Sequence, residues 1–141
     1  MMRGGIWLVR QRGTLGARIA PMPTQDRAVS LHPYFKVSDG KMDEFKKFCE
    51  RFVSMTTTEP SCLYYGFSFN GNEVYCREGY DGAEGLLAHV ANVGPLLQEA
   101  LKIAEITRLE VHGVEEELAK LRTPLSGLNP TYFTLEYGVR R

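Results

Sequence analysis

Cys62-Leu63-Tyr64-Tyr65-Gly66-Phe67-Ser68-Phe69-Asn70-Gly71-Asn72-Glu73-Val74-Tyr75-Cys76-Arg77-Glu78-Gly79-Tyr80 reads as two strands and the turn between them. Asn70-Gly71 is the pair best able to take positive φ at both centres of a type I′ turn, so the stretch predicts an antiparallel hairpin. With Phe69 set opposite Asn72, Tyr65 falls opposite Cys76 and Leu63 opposite Glu78. One face then carries Leu63, Tyr65, Phe67, Phe69, Val74, Cys76, Glu78 and Tyr80. The other carries Cys62, Tyr64, Gly66, Ser68, Glu73, Tyr75 and Arg77. Neither face has the composition of a freely solvated surface, so both need a cover.

A helix follows at once. Asp81 and Glu84 stand at the spacing of a capping box, and Ala83, Leu86, Leu87 and Val90 follow at helical intervals. Gly94-Pro95 interrupts that path, and Leu96, Leu97, Ala100 and Leu101 suggest a second short helix. Upstream, Val29 to Val37 alternates as a strand, in which Pro33 marks a position unpaired on one side or bulged. Met42, Phe45, Phe48, Cys49, Phe52 and Val53 then form one helical stripe ending near Thr56. Downstream, Ile103 to His112 reads as a strand, Glu115 to Arg122 as a short helix, and Thr131 to Tyr137 as an extra strand. The order βαββαβ is the ferredoxin-like α+β pattern, with helices on one face of a four-stranded antiparallel sheet.

Glu59-Pro60-Ser61-Cys62-Leu63-Tyr64-Tyr65, then Glu78-Gly79-Tyr80-Asp81, then the helix from Ala83 to the Leu86-Leu87-Ala88-His89-Val90 run, resemble in this order the motifs of the antibiotic-biosynthesis-monooxygenase-like family. The resemblance covers roughly Val29 to Val111. It implies a dimeric α+β barrel, in which two sheets pack face to face and each subunit has a pocket between sheet and helices. It also implies a cofactor-independent oxygenase, although the family includes haem-degrading enzymes too. In the haem-degrading relatives a histidine on this helix binds iron, with a tryptophan and an asparagine on strands. Tyr80 stands where that tryptophan would be, and the first strand offers His32 and Tyr34 but no asparagine, so the resemblance to them is incomplete.

At 141 residues and 43% apolar composition, the chain allows one domain with a substantial core. Its formal charge is zero, but Met1 to Ala28 holds five arginines against Asp26 alone, leaving twelve basic against sixteen acidic residues in the remainder. That balance argues against a nucleic-acid surface on residues 29–141. No apolar run is long enough to span a membrane. Three cysteines without C-x-x-C or histidine spacing read as buried thiols of a reducing, cytoplasmic compartment, with neither zinc nor thiol catalysis. Residues 1–28 read as a disordered or non-native extension, or, if translated, as an arginine-rich organellar transit peptide, and Trp7 within them is not a candidate for catalysis.

The candidate catalytic residue is His89. On the expected helix it lies roughly 110° from the centre of the apolar stripe, at the edge between buried and exposed, where an imidazole can serve as general base. The alternative is a histidine bonded to a carbonyl at a helix end. Tyr65, Tyr80 and Glu78 share the apolar hairpin face and are candidates for substrate binding, as is His32, which could instead lie at a dimer seam. The bland reading makes the tyrosines core aromatics and pairs Glu78 with backbone or Arg108. No metal site and no cofactor are expected. The function these residues imply is a cofactor-independent monooxygenase of a small aromatic or quinol-like molecule, acting as a homodimer. A non-catalytic dimeric binding protein of the same fold is the alternative, and haem binding through His89 is a third reading.

Overall fold

The strand expected at Val29 to Val37 runs as β1 (Ala28–Val37) and lies at the centre of a five-stranded sheet. These features come from a computed structural model in which residues 24–141 are described. The elements that follow are α1 (Met42–Thr56), β2 (Cys62–Asn70), β3 (Glu73–Asp81), α2 (Gly82–Ala100), β4 (Ala104–Gly113), α3 (Glu115–Leu118) and β5 (Thr131–Thr134). The sheet order is β2-β3-β1-β4-β5, antiparallel except where β5 lies parallel to β4. This is the ferredoxin-like α+β fold with a C-terminal strand added. No described helix is long and apolar enough to cross a membrane.

The hairpin forms one residue pair out of the expected register. Asn70 faces Glu73, so Gly71 and Asn72 are the turn centres, and Tyr65 lies opposite Glu78 rather than Cys76. Gly71 takes φ +59° while Asn72 does not enter the positive region, as in a type II′ turn, whose first centre is the glycine. Sliding by a whole pair leaves the side chains from Tyr64 onward on their expected faces. A bulge between Cys62 and Tyr64 then shifts the register at the start of β2, so Cys62, expected on the Tyr64 face, instead pairs with Tyr80 and packs against the helix-covered cluster.

Pro33 behaves as its missing amide requires. The β1–β3 ladder runs through Leu31↔Glu78 and resumes at Tyr34↔Tyr75, with a gap at His32 and Pro33, while the β1–β4 ladder shifts between Tyr34 and Phe35. The centre of the sheet is therefore loosened beside Cys76 and Glu78.

Helices α1 and α2 cover one face. Apolar side chains of the helices and the sheet together build two clusters, one around Val29, Tyr80, Leu86, Val111 and Leu118, the other around Phe35, Phe45, Phe52, Val74 and Leu96. Two expectations about α2 are corrected. The helix does not end at Gly94-Pro95 but continues to Ala100, because Val93, Leu96 and Ala100 are buried while Pro95 faces solvent, where its missing hydrogen bond can be replaced by water. Asp81 makes no side-chain cap, and Glu84 instead pairs with Lys120 at 3.1 Å.

The C-terminal elements are shorter than expected, and Thr24 to Arg27, which the sequence assigns to the extension, contact them. Asp26 pairs with Arg140 at 2.9 Å and Arg27 with Glu116 at 3.0 Å. The rest of the expected extension, including Trp7, lies outside the described residues.

Candidate functional site

The side of the sheet covered by helices is not packed solid. A narrow cleft of about 60 Å³ lies between the sheet and α2, at the seam of the two apolar clusters. Leu31, Pro33 and Phe35 floor it from β1, Val93 and Leu97 roof it from α2, and Phe52, Tyr65 and Phe67 close one side. Leu128, on a single 3₁₀ turn (Ser126–Leu128), stands at the other side and is exposed. Polar groups are confined to one wall, where Cys76, Glu78 and His89 meet.

His89 is not at an edge, as its position on the expected helix suggested. It is buried, with 2% of its surface accessible, and so is Glu78, also at 2%. Read through to Ala100, the buried stripe of α2 is Leu86, His89, Val93, Leu96 and Ala100, a run of alternating three- and four-residue steps with His89 inside it. The helix sits close to β3 one turn earlier, at Gly85. A Cβ there would lie 2.8 Å from Cβ of Ser61 and 3.2 Å from Cβ of Tyr80.

Two carboxyl groups flank the imidazole. Nδ1 of His89 lies 3.0 Å from each oxygen of Glu59, and Nε2 lies 3.4 Å from Oε1 of Glu78. Glu59 is itself held by Asn92, whose Nδ2 donates to its Oε2 at 2.9 Å and to the Met55 carbonyl at 3.2 Å. With Glu59 an acceptor, the network assigns the imidazole proton to Nδ1 and leaves the Nε2 lone pair toward Glu78 and the cleft. Tyr80 donates to Oε1 of Glu78 at 2.8 Å. Its ring and that of Tyr65 lie 5.0 and 5.2 Å from the imidazole, one on β3 and one on β2.

Burial governs the protonation of the group. It pushes the Glu78 carboxyl up to about 7, against hydrogen bonds from Cys76 and Tyr80 that favour the ionised form. Burial also pulls His89 below its usual value, with Glu59 pulling the other way. The hydroxyls of Tyr65 and Tyr80 and the thiol of Cys76 are all raised, chiefly by burial and secondly by charge or by Glu78, and stay neutral. Near neutral pH the wall therefore holds a neutral imidazole beside a carboxyl that is about half protonated.

Of the five residues singled out in the sequence, His89, Glu78 and Tyr65 line the cleft. Tyr80 supports Glu78 from behind and does not line it. His32 points to the opposite face of the sheet, where Nδ1 meets the Tyr75 hydroxyl and Nε2 the Ser30 hydroxyl, each at 2.7 Å. Arg108 is on that face too, paired with Glu110, so the expected partnership with Glu78 does not form. Glu59 and Asn92 were missed as functional residues. The signal for Asn92 was its place three residues after His89, on the same side of the helix.

No family model matches the sequence, and no curated protein matches it. Among solved structures, MupZ from Pseudomonas fluorescens superposes with a TM-score of 0.79 and 47% identity, over 82% of this chain and 95% of MupZ. A candidate antibiotic biosynthesis monooxygenase from Nitrosomonas europaea shares the fold at a TM-score of 0.58 and 14% identity, over 65% of this chain and 94% of its own. One from Chloroflexus aurantiacus does so at 0.51 and 14%, over 60% and 89%. The chain belongs to the antibiotic-biosynthesis-monooxygenase-like family. Both nitrogens of His89 face carboxyl groups. Among the described residues no group of three or more His, Cys, Asp or Glu is placed to hold a metal ion.

Proposed function

We propose that the cleft is the active site of a cofactor-independent monooxygenase that acts on a small aromatic or quinol-like molecule by acid–base chemistry. The observation that carries this reading is the buried His89–Glu78 pair, backed by Glu59, opening onto an otherwise apolar cleft. Glu59 fixes the imidazole so that Nε2 accepts a proton from the substrate. Glu78, when protonated, is the acid 3.4 Å away. Such neighbours suit a reaction in which deprotonation leaves an electron-rich anion that reduces dioxygen. One oxygen atom stays on carbon, and the other departs as water with the hydrogens lost from the substrate and returned through the acid. The apolar walls keep bulk water from the anion. A flat ring must part those walls, and Leu97, Leu128 and Phe67, none of them fully buried, are the side chains placed to give way.

Oxygen uptake over a panel of dihydroxy-aromatics tests the proposal. His89→Gln, which keeps volume and removes the base, is expected to lower turnover by about 10² to 10⁴. Glu78→Gln should do so too, while Tyr80→Phe, which keeps the ring and removes one donor to Glu78, should cost less. Binding without uptake by the wild type would favour a non-catalytic binding protein with the same cleft. Full activity in His89→Gln would show that His89 is not the base.

The assembly we propose is a homodimer packed through the open face of the sheet. Tyr34, Tyr64 and Phe133 are exposed, and Tyr34, with a ring 4.9 Å from that of Tyr75, lies on the side away from the helices. Two cations of this face are engaged within the chain, Arg108 by Glu110 and Arg77 by the Tyr64 ring at 4.7 Å.

A further inference from the structure

The charges around the cleft carry information about what it admits. No lysine or arginine lines it, and of its lining residues Glu78 and His89 are the ones able to change charge near neutral pH. Arg77 and Arg108 lie across the sheet, engaged by Tyr64 and Glu110, and Lys46 and Arg51 lie over the rings of Phe69 and Phe48. A ligand carboxylate placed at the polar wall would meet Glu78 at once, with Glu59 behind the imidazole, and would find no cation. An isolated buried anion costs many times the energy of a buried hydrogen bond. An ammonium would meet a carboxyl partner, but one that burial favours as the neutral acid, so pairing must first ionise Glu78. A neutral oxygen meets neither cost. A hydroxyl can donate to Nε2 of His89 and accept from the protonated Glu78, and a carbonyl can accept from Glu78 alone.

We propose that the cleft selects by charge, taking an uncharged ligand with a slim apolar body and one hydroxyl or carbonyl oxygen at its Glu78–His89 end, and turning away carboxylate and ammonium analogues of the same shape. The proposal rests on the reading of this wall as the site, but concerns binding rather than turnover. Its cause is the cleft's complement of charges. Phe52, Tyr65 and Phe67 supply the contact area, and the polar wall supplies the discrimination.

The test is a matched series of 4-methylphenol, 4-methylbenzoate and 4-methylbenzylamine, titrated into the full-length wild-type protein just below neutral pH, where Glu78 is mostly protonated. The imidazole ¹⁵N resonances of its three histidines provide the readout. His89 reports the cleft, whereas His32 and His112 report the opposite face. The phenol is expected to move the His89 resonances with an affinity at least about tenfold above that of either charged analogue. Binding of the benzoate or the amine within a few-fold of the phenol would overturn the proposal. So would a series in which no member moves His89, or in which all act on His32 and His112. Oxygen uptake is measured separately. The binding order can hold where no turnover is found, and turnover can be found where the order fails, so the two readings stand or fall independently.

Discussion

Glu78 shows how one residue links burial to pH. Its carboxyl rises from an ordinary 4.5 to about 7, so between those values the folded chain holds a proton that the unfolded chain has released. The sign follows directly: this group's contribution to stability is full below the unfolded value and is lost as pH climbs through 7. At about 1.4 kcal/mol per tenfold change, the span is worth about 3 kcal/mol. His89, pulled below its usual 6.5, acts the opposite way and costs stability on acidification. Glu78→Gln is therefore expected to abolish the loss of stability between about pH 5 and pH 8 and to leave the decline at low pH, as read from urea midpoints. An unchanged slope in the variant would place the titrating group elsewhere. The sequence made Glu78, His89 and Tyr65 visible because their strand parity and helical position could be read locally. Glu59 was not legible as a partner, because it joins His89 from 30 residues away, through the turn after α1. The side of the sheet taken by His32 was equally hidden, since alternation sorts a strand into two faces without saying which of them the helices will cover.

At the level of elements, α2 sets the geometry of the site. Its full length was not evident, because Pro95 locally opposes a helix and only the burial of Val93, Leu96 and Ala100 carries it through. Ending the helix at Gly94 rotated the apparent stripe toward Ala83, Leu87 and Val90 and left His89 at its edge. Carrying it on to Ala100 puts His89 inside the stripe, where its burial follows. The hairpin offers the complementary lesson. Its register slipped by one pair, yet from Tyr64 onward its faces stayed as read, because period-two alternation is insensitive to a slip of that size. Gly85 couples the two elements. A methyl group there must push α2 away from Ser61 and Tyr80. Overpacking costs about 1–3 kcal/mol, and alanine returns up to about 1 kcal/mol through helix propensity. Gly85→Ala should thus lose about 1 kcal/mol net in a urea titration, with a larger proportional loss of any turnover, since His89 lies one turn further along the same face. Unchanged stability would mean that the helix has slack at this point.

At the scale of the molecule, the helices cover one face of the sheet and leave the other to Tyr34, Tyr75, His32, His112 and their neighbours. That asymmetry was legible from the βαββαβ order alone, and exposed aromatic rings on the bare face call for a cover. Light scattering is expected to give twice the 15.9 kDa of one chain. Tyr34→Glu, which places a charge among these rings while sparing the core, should shift the protein to monomer with its far-ultraviolet dichroism retained. A wild-type monomer at micromolar concentration would contradict the proposed assembly. The cleft lies on the other side of the sheet, so the monomeric variant should keep the ligand preference of the wild type.

The most direct test of the proposed site is the protonation state of His89, read from the ¹⁵N shifts of its two ring nitrogens as pH is varied across neutrality. The ring is expected to be neutral at pH 7 with its proton on Nδ1, facing Glu59, and its Nε2 signal to follow the titration of Glu78 near 7 and to lose that step in Glu78→Gln. An imidazolium at that pH, or a proton resident on Nε2, would contradict the assignment of His89 as a base open to the cleft.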